Sequence, residues 1–187
     1  MQQWRAQSLV HDDEPYNYEY ASLFDLITLT RDKQDALIVA LDHLTDVGNL
    51  GAIIRSAEVV GASGVLIPKK RAAQVNNTVF RTSAGAVEYL KVAREANMAT
   101  SLKRLKDEGF WVGAATEQAH VDIWKAPIEG RLVVVMGSED SGVSRLVREV
   151  CDFEFKLPQR GLTASLNVAQ AFSVIAYEWL RRASGQA

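Results

Sequence analysis

Two short stretches constrain the fold more than any others. Residues 36–44 (ALIVALDHL) and 132–137 (LVVVMG) are nearly unbroken apolar runs set between turn-forming residues. Neither approaches the ~18 apolar residues that a membrane span needs. As strands they are apolar on both faces, and the architecture that buries such strands is a parallel sheet covered on both sides.

The segments between them alternate in the same sense. Strands are expected at 64–68 (GVLIP), ending at Pro68, at 89–95, 110–116 and 153–158. Helices are expected at 49–60, 98–108, 144–150 and 166–182, with a mixed stretch over 75–87 that starts helical. In the helix over 98–108, Leu102 and Leu105 point inward, Lys103, Arg104 and Lys106 point outward, and Gly109 ends it. Strand–helix alternation of this kind predicts an α/β fold: a parallel sheet with helices on both faces.

Residues 1–35 read differently. They are polar and irregular, with Asp12, Asp13, Glu14 and Pro15 followed by Tyr16, Tyr18 and Tyr20. This is an expected N-terminal arm, with at most a short helix over 21–29, ahead of a catalytic domain at 36–187. At 187 residues the chain has the length of about one domain. Its 21 basic and 23 acidic residues give a net charge of −2. Bulk charge therefore does not announce a nucleic-acid partner, and any basic surface is local. The one cysteine, Cys151, excludes an intramolecular disulfide and fits a reducing, cytoplasmic setting. His11, His43 and His120 have no ligand spacing with each other or with Cys151, so no metal site is expected.

In parallel α/β sheets ligands bind at the carboxyl ends of strands. Three loops there carry polar chemistry. The first, DVGNLGAIIRSA (46–57), opens a helix with Asn49 as a candidate N-cap; Gly51, Ala52, Ser56 and Ala57 keep one helix face small. Read alone, Arg55 is a surface arginine paired with Glu58 at i+3. The second, VMGSEDSG (135–142), has glycines at the spacing of a phosphate loop but lacks the Lys-Ser/Thr pair that must follow. Glu139 and Asp140 would repel a triphosphate; locally they read as an acidic helix start. The third, LPQRGLTASLNV (157–168), reads as a turn and a capped helix start, with Thr163 or Ser165 as the cap and Asn167 in the first turn. The helix that follows is apolar on two stripes, as in a large core or a subunit interface. Lys69, Lys70 and Arg71 form the best local basic cluster, a solvated loop or a contact for a phosphate backbone.

The three loops taken in order resemble the three motifs of the SpoU branch of the SPOUT RNA methyltransferases. They are most similar to the enzymes that methylate a guanosine ribose 2′-hydroxyl in large-subunit ribosomal RNA. The resemblance covers residues 36–182. It implies a SPOUT-type sheet with a deep C-terminal trefoil knot, S-adenosylmethionine as cofactor, RNA (ribosomal RNA first) as partner, and a homodimer through the C-terminal helix region. It places Asn49, Arg55, Glu139, Ser165 and Asn167 in the catalytic motifs, and Met136, Gly137, Gly142, Leu157, Leu166 and Ala115 at the cofactor. The second motif usually reads Glu-Gly-x-Gly; here Asp140 and Ser141 stand between Glu139 and Gly142. Gln159 and Arg160 replace small or apolar residues, and Arg160 is an extra candidate phosphate contact. Relatives in this branch commonly carry an N-terminal RNA-binding domain, and the arm at 1–35 reads either as a remnant of one or as part of a natural minimal form. The alternatives are a transfer RNA 2′-O-methyltransferase and a non-catalytic RNA-binding or assembly protein of the same fold.

Overall fold

Strand β1 (Ala36–Asp42) is buried at all 7 of its positions, and the residues on its two sides belong to two separate cores. Leu37, Val39 and Leu41 face one; Ala36, Ile38 and Ala40 face the other. This is the pleat of a strand covered on both sides. The computed structural model describes residues 16–163 and 165–183. Its sheet also contains β2 (Gly64–Pro68), β3 (Val92–Glu95), β4 (Trp111–Ala115), β5 (Arg131–Gly137) and β6 (Phe153–Phe155). The order is β3-β2-β1-β5-β4-β6, and all pairings are parallel. The expected α/β class is thus the observed one. Every strand delivers its carboxyl end to the same edge.

Helices α2 (Val47–Val59), α3 (Asn77–Thr82) and α6 (Val168–Ala183) cover the first face. Helices α1 (Leu23–Thr30), α4 (Met98–Asp107) and α5 (Arg145–Arg148) cover the second. The two apolar stripes of α6 are explained in part by depth, since Phe172, Ile175 and Ala176 are fully buried. The small face of α2 serves helix packing: a Cβ on Gly51 would stand 1.9 Å from Thr82 Oγ1 of α3. On another side of α2, Ser56 Oγ meets Ser173 Oγ of α6 at 2.8 Å.

Several local expectations are corrected. Asp46, not Asn49, is the N-cap of α2; its carboxylate accepts the Asn49 N–H at 2.6 Å, and the Asn49 side chain is left for other partners. Neither Thr163 nor Ser165 caps α6. Asn167 Oδ1 accepts the N–H groups of Ala169 at 2.9 Å and Gln170 at 3.3 Å. The strand expected at 89–95 begins only at Val92, and Lys106 does not simply point outward. It folds back to Asp152 at 2.7 Å and to the Val150 carbonyl at 3.1 Å, because α4 passes close to the turn before β6.

The described part of the expected arm, residues 16–35, is not a free tail. Tyr16, Tyr18 and Tyr20 pack against the first core, Ala21 forms a parallel bridge to Ala93, and α1 buries Leu23, Leu26 and Ile27. The tyrosines are amphipathic: their rings cover apolar surface while their hydroxyls find polar partners, Glu88 for Tyr16, the edge strand β3 for Tyr18 and the Val75 N–H for Tyr20. Tyr18 Oη accepts the Val92 N–H at 3.0 Å. The acidic run at 12–14 and Pro15, with His11, lie outside the described residues.

Candidate functional site

The carboxyl ends of β4, β5 and β6 and the start of α6 surround a cavity of about 570 Å³. That is within the usual range for a small-molecule site. Its walls combine apolar side chains (Met136, Phe155, Ile175) with loop residues at 115–118 and 137–143, Leu157, Gln159 and residues 165–167. All six residues assigned to the cofactor lie on it: Ala115, Met136, Gly137, Gly142, Leu157 and Leu166. So do Glu139, Ser165 and Asn167.

The loop after β5 is shaped by its own hydrogen bonds. Ser138 and Gly142 exchange two backbone bonds, at 3.2 and 2.9 Å, and Ser138 Oγ meets Ser141 Oγ at 2.8 Å. Gly142 adopts a left-handed conformation, φ +66°. Gly137 is required for a different reason: a Cβ there would stand 2.0 Å from the Gly142 carbonyl carbon. The reading of Glu139 and Asp140 as a helix start is corrected, since α5 begins at Arg145 behind its N-cap Ser144. The tight turn at 138–142 instead points Glu139 at α2.

Asn49 does not line the cavity, yet it joins the residues that do. Its Nδ2 donates to Glu139 Oε1, and its Oδ1 accepts from Asn167 Nδ2 at 3.0 Å. Asn167 Oδ1 in turn caps α6. The result is a one-way relay from the α6 N-terminus through Asn167 and Asn49 to the Glu139 carboxylate. Each amide nitrogen in it donates to an oxygen and each amide oxygen accepts from an N–H, which fixes the amide orientations.

Arg55 is placed elsewhere. It is exposed, and it lies six residues beyond Asn49 on α2, roughly 9 Å along the axis and on another side of the helix. The pair with Glu58 read from the sequence is not formed among the described residues. Arg55 stands instead beside Ser56, which is bonded to α6.

The sequence reading missed part of the wall. Thr116, Glu117 and Gln118 follow β4 and line the cavity, as does Arg148 of α5. The strand-end rule pointed to 116–118 as surely as to the other three loops. Arg148 had no local signal. It holds Glu154 with two bonds of 2.8 Å and donates to Gln118 Oε1 at 2.9 Å, tying α5, β6 and the 116–118 loop together. Its hydrogen bonds hold the Glu154 carboxyl below the usual carboxylate range. Cys151 is half-buried, with Sγ bonded to the Val147 carbonyl at 3.3 Å, and burial pushes its thiol up to about 12.

The fit to the implied cofactor rests on the donor set. Among the described residues, the 157–163 stretch makes no backbone–backbone hydrogen bond, so its amides and carbonyls are available to a heterocycle lying against Met136, Phe155 and Ile175. Glu139 and Asp140 at the rim suit a cationic ligand. No helix among the described residues is long and apolar enough to cross a membrane.

Comparison with known proteins agrees with this architecture. The profile of the SpoU rRNA Methylase family matches residues 36–177. A Bacillus subtilis protein assigned to the TrmH family of tRNA/rRNA methyltransferases is 42% identical over 166 residues, 88% of this chain and 67% of the relative. The 23S rRNA (guanosine-2′-O-)-methyltransferase RlmB of Photobacterium profundum is 41% identical over 159 residues, 84% of this chain and 64% of the relative. Among solved structures, the SpoU methyltransferase AviRb of Streptomyces viridochromogenes in complex with AdoMet superposes with a TM-score of 0.75 at 28% identity, covering 80% of this chain and 58% of that one. The chain thus spans about two thirds of the length of these sequence relatives, and less of AviRb.

Proposed function

This chain belongs to the SpoU rRNA Methylase family, and on that premise we propose that it methylates a ribose 2′-hydroxyl of RNA using S-adenosylmethionine, with a guanosine of large-subunit ribosomal RNA as the first target. The observation that carries the reading is the relay. Asn49 in the first turn of α2, Glu139 in the loop after β5 and Asn167 at the start of α6 lie up to 118 residues apart and meet at the rim of a cavity of cofactor size. The RlmB relative favours ribosomal RNA. The TrmH/SpoU tRNA modifying enzyme of A. aeolicus, similar at a TM-score of 0.74 and 26% identity, keeps transfer RNA as the second reading. The knotted threading of the 157–167 segment past the 138–142 loop is part of this proposal, as is a cytoplasmic setting.

The cofactor supplies an electrophilic methyl group on a sulfonium. Met136, Gly137, Gly142, Leu157, Leu166 and Ala115 hold it, largely through backbone and apolar contact. The rest of the chemistry falls to the protein. A ribose hydroxyl is a poor nucleophile until its proton leaves or its developing charge is stabilised. Arg55 either binds the adjacent phosphate and stabilises that charge or, in a dry, cation-rich pocket, accepts the hydroxyl proton. Asn49, Ser165 and Asn167 position the ribose and the loops, and Glu139 fixes Asn49. Much of the acceleration comes from approximation of the two reactants.

Arg55 is separated from Glu139 within one chain, and the exposed side of α6 beside it is apolar. Val174 and Tyr177, with Trp124 next to them, are 40%, 54% and 55% exposed. A patch of this kind marks an interaction surface. A homodimer through it completes the proposal.

The test is calorimetric titration with S-adenosylmethionine, light scattering for the dimer, and nucleoside mass spectrometry of large-subunit rRNA and tRNA after incubation. One saturable site per subunit and 2′-O-methylguanosine in the rRNA are expected. Methyl transfer to tRNA alone would replace the target. A folded dimer that binds the cofactor and methylates neither would favour an assembly role.

A further inference from the structure

The loop after β2, residues 69–75, takes no part in the reaction described above, yet it is built with care. Lys69, Lys70 and Arg71 are exposed in succession. Among the described residues none of the three side chains forms an ion pair or a hydrogen bond. Many of the chain's other cations are committed: Lys106 to Asp152, Arg148 to Glu154, Arg182 to Glu178, and Arg131 to backbone carbonyls. The nearest acid on the neighbouring strand, Glu95, is itself occupied by the Leu23 N–H at 3.1 Å.

The loop is also held rigidly. The Lys69 N–H bonds the Glu95 carbonyl at 2.9 Å, and the Ala73 N–H bonds the Leu44 carbonyl at 2.7 Å. Gln74 Nε2 reaches back to the Ala72 carbonyl at 3.1 Å, and its Oε1 accepts from Arg94 at 3.2 Å. The Arg94 guanidinium lies 4.2 Å over the Tyr20 ring, and Tyr20 Oη accepts the Val75 N–H at 2.8 Å. Arg71 is held at φ +56°, a conformation that a non-glycine residue adopts at a cost. Strain of this sort persists only where surrounding contacts over-determine it, and it is concentrated at functional sites.

Position supplies the rest. β2 is separated from β5 by β1 alone, so this loop stands about 10 Å along the carboxyl edge from the loop that carries Glu139. The bond from Ala73 to Leu44 anchors it to the segment that leads into Asn49. No large apolar side chain is exposed within 69–75, so the surface offers charge and nothing on which a base or a protein side chain would pack.

Resting on the RNA methyltransferase reading, we propose that Lys69, Lys70 and Arg71 form a preset phosphate platform for the RNA strand flanking the target ribose. It grips the backbone without reading sequence, as phosphate contacts do. The pinned main chain lowers the ordering cost of that grip.

The test compares the full chain with its Lys69→Ala/Lys70→Ala/Arg71→Ala variant. Binding of a large-subunit rRNA transcript and of an unrelated hairpin is followed across a salt series. Affinity for both RNAs falls roughly tenfold or more, and the slope of log K against log salt becomes shallower by about 2. The KM for RNA rises while kcat is little changed, and the S-adenosylmethionine titration is unaltered. Lys103→Ala/Arg104→Ala, on α4, leaves RNA binding as it was. Should the triple alanine variant misfold, Arg71→Gly in place of Arg71→Ala suits the positive φ and keeps the test intact. Unchanged affinity and salt slope overturn the platform, and so does wild-type protein that binds no RNA. Loss of RNA binding in the variant, in a chain whose wild type never binds S-adenosylmethionine, sinks the methyltransferase reading and leaves the platform standing.

Discussion

Asn167 donates its side-chain amide to Asn49 Oδ1 at 3.0 Å, across 118 residues of sequence, while its own oxygen caps α6. One side chain thus starts a helix and orients a site. The two roles separate by substitution. Asn167→Asp keeps the capping oxygen and loses the donor to Asn49; Asn167→Ala loses both. We expect the aspartate variant to melt close to wild type and the alanine variant to lose about 1 kcal/mol, roughly 2–4 °C. Both lose most of their methyl transfer. An aspartate variant with full activity would remove the relay from the mechanism.

Gly137→Ala asks for space that does not exist, since its Cβ would fall 2.0 Å from the Gly142 carbonyl carbon. That neighbour is backbone and cannot rotate away. The 138–142 turn must shift, at a cost of about 1–3 kcal/mol. Calorimetry should show cofactor affinity at least tenfold weaker, with Lys103→Ala, exposed on α4 and away from the cavity, as the neutral control.

Arg55→Ala should abolish turnover and leave cofactor binding largely intact, because Arg55 stands off the cavity on the exposed side of α2. Its exposure also predicts an unchanged melting temperature. Retained turnover would take Arg55 out of the chemistry.

The Glu178 carboxyl is held below the usual carboxylate range by hydrogen bonds, chiefly from Arg181 and then from Arg182. Arg182 in turn donates to the Ala126 carbonyl at 2.9 Å. A lowered native pKa means that the stabilisation is present above the unfolded value, ~4.3, and is lost as pH falls through and below it. Unfolding midpoints taken from neutral to acid pH should drop more steeply for wild type than for Glu178→Gln. Equal slopes would show the cluster to be inconsequential.

The Cys151 thiol, pushed up to about 12 by burial, is a poor nucleophile in the folded chain. Reaction with a thiol reagent near pH 8 should be slow when native and fast in denaturant. Rapid native reaction would mean that α5 opens locally.

Much of the fold was legible because it follows from local periodicity. The apolar runs at 36–44 and 132–137 admit few packings other than a two-sided parallel sheet, and the strand–helix order at 64–68, 98–108 and 166–182 names its layers. Before residue 36 the short helix expected over 21–29 is present as α1, while the packing of 16–20 on the core is not legible because its signal is not periodic. Tyr16, Tyr18 and Tyr20 look polar in sequence, and only the packed sheet shows their rings on the core, with the hydroxyls of Tyr18 and Tyr20 on backbone N–H groups and that of Tyr16 on Glu88. Lys106 failed similarly: nothing near it in sequence announces Asp152.

At the site, the sequence by itself determined the residue types and their order: a small-faced helix start with Asn49, a glycine-bounded acidic turn with Glu139, and a helix start with Asn167. Hydrogen-bonding capacity is a property of the residue, so it can be read without a fold. Which donor meets which acceptor is a property of position in space. Asp46 took the capping role expected of Asn49, Asn167 took the one expected of Thr163 or Ser165, and the freed Asn49 amide bridged two loops. Those outcomes were decided by the parallel sheet, which brings the carboxyl ends of β1 and β5 and the start of α6 to one edge. Only there do groups remote in sequence come within the 3 Å at which a hydrogen bond acts.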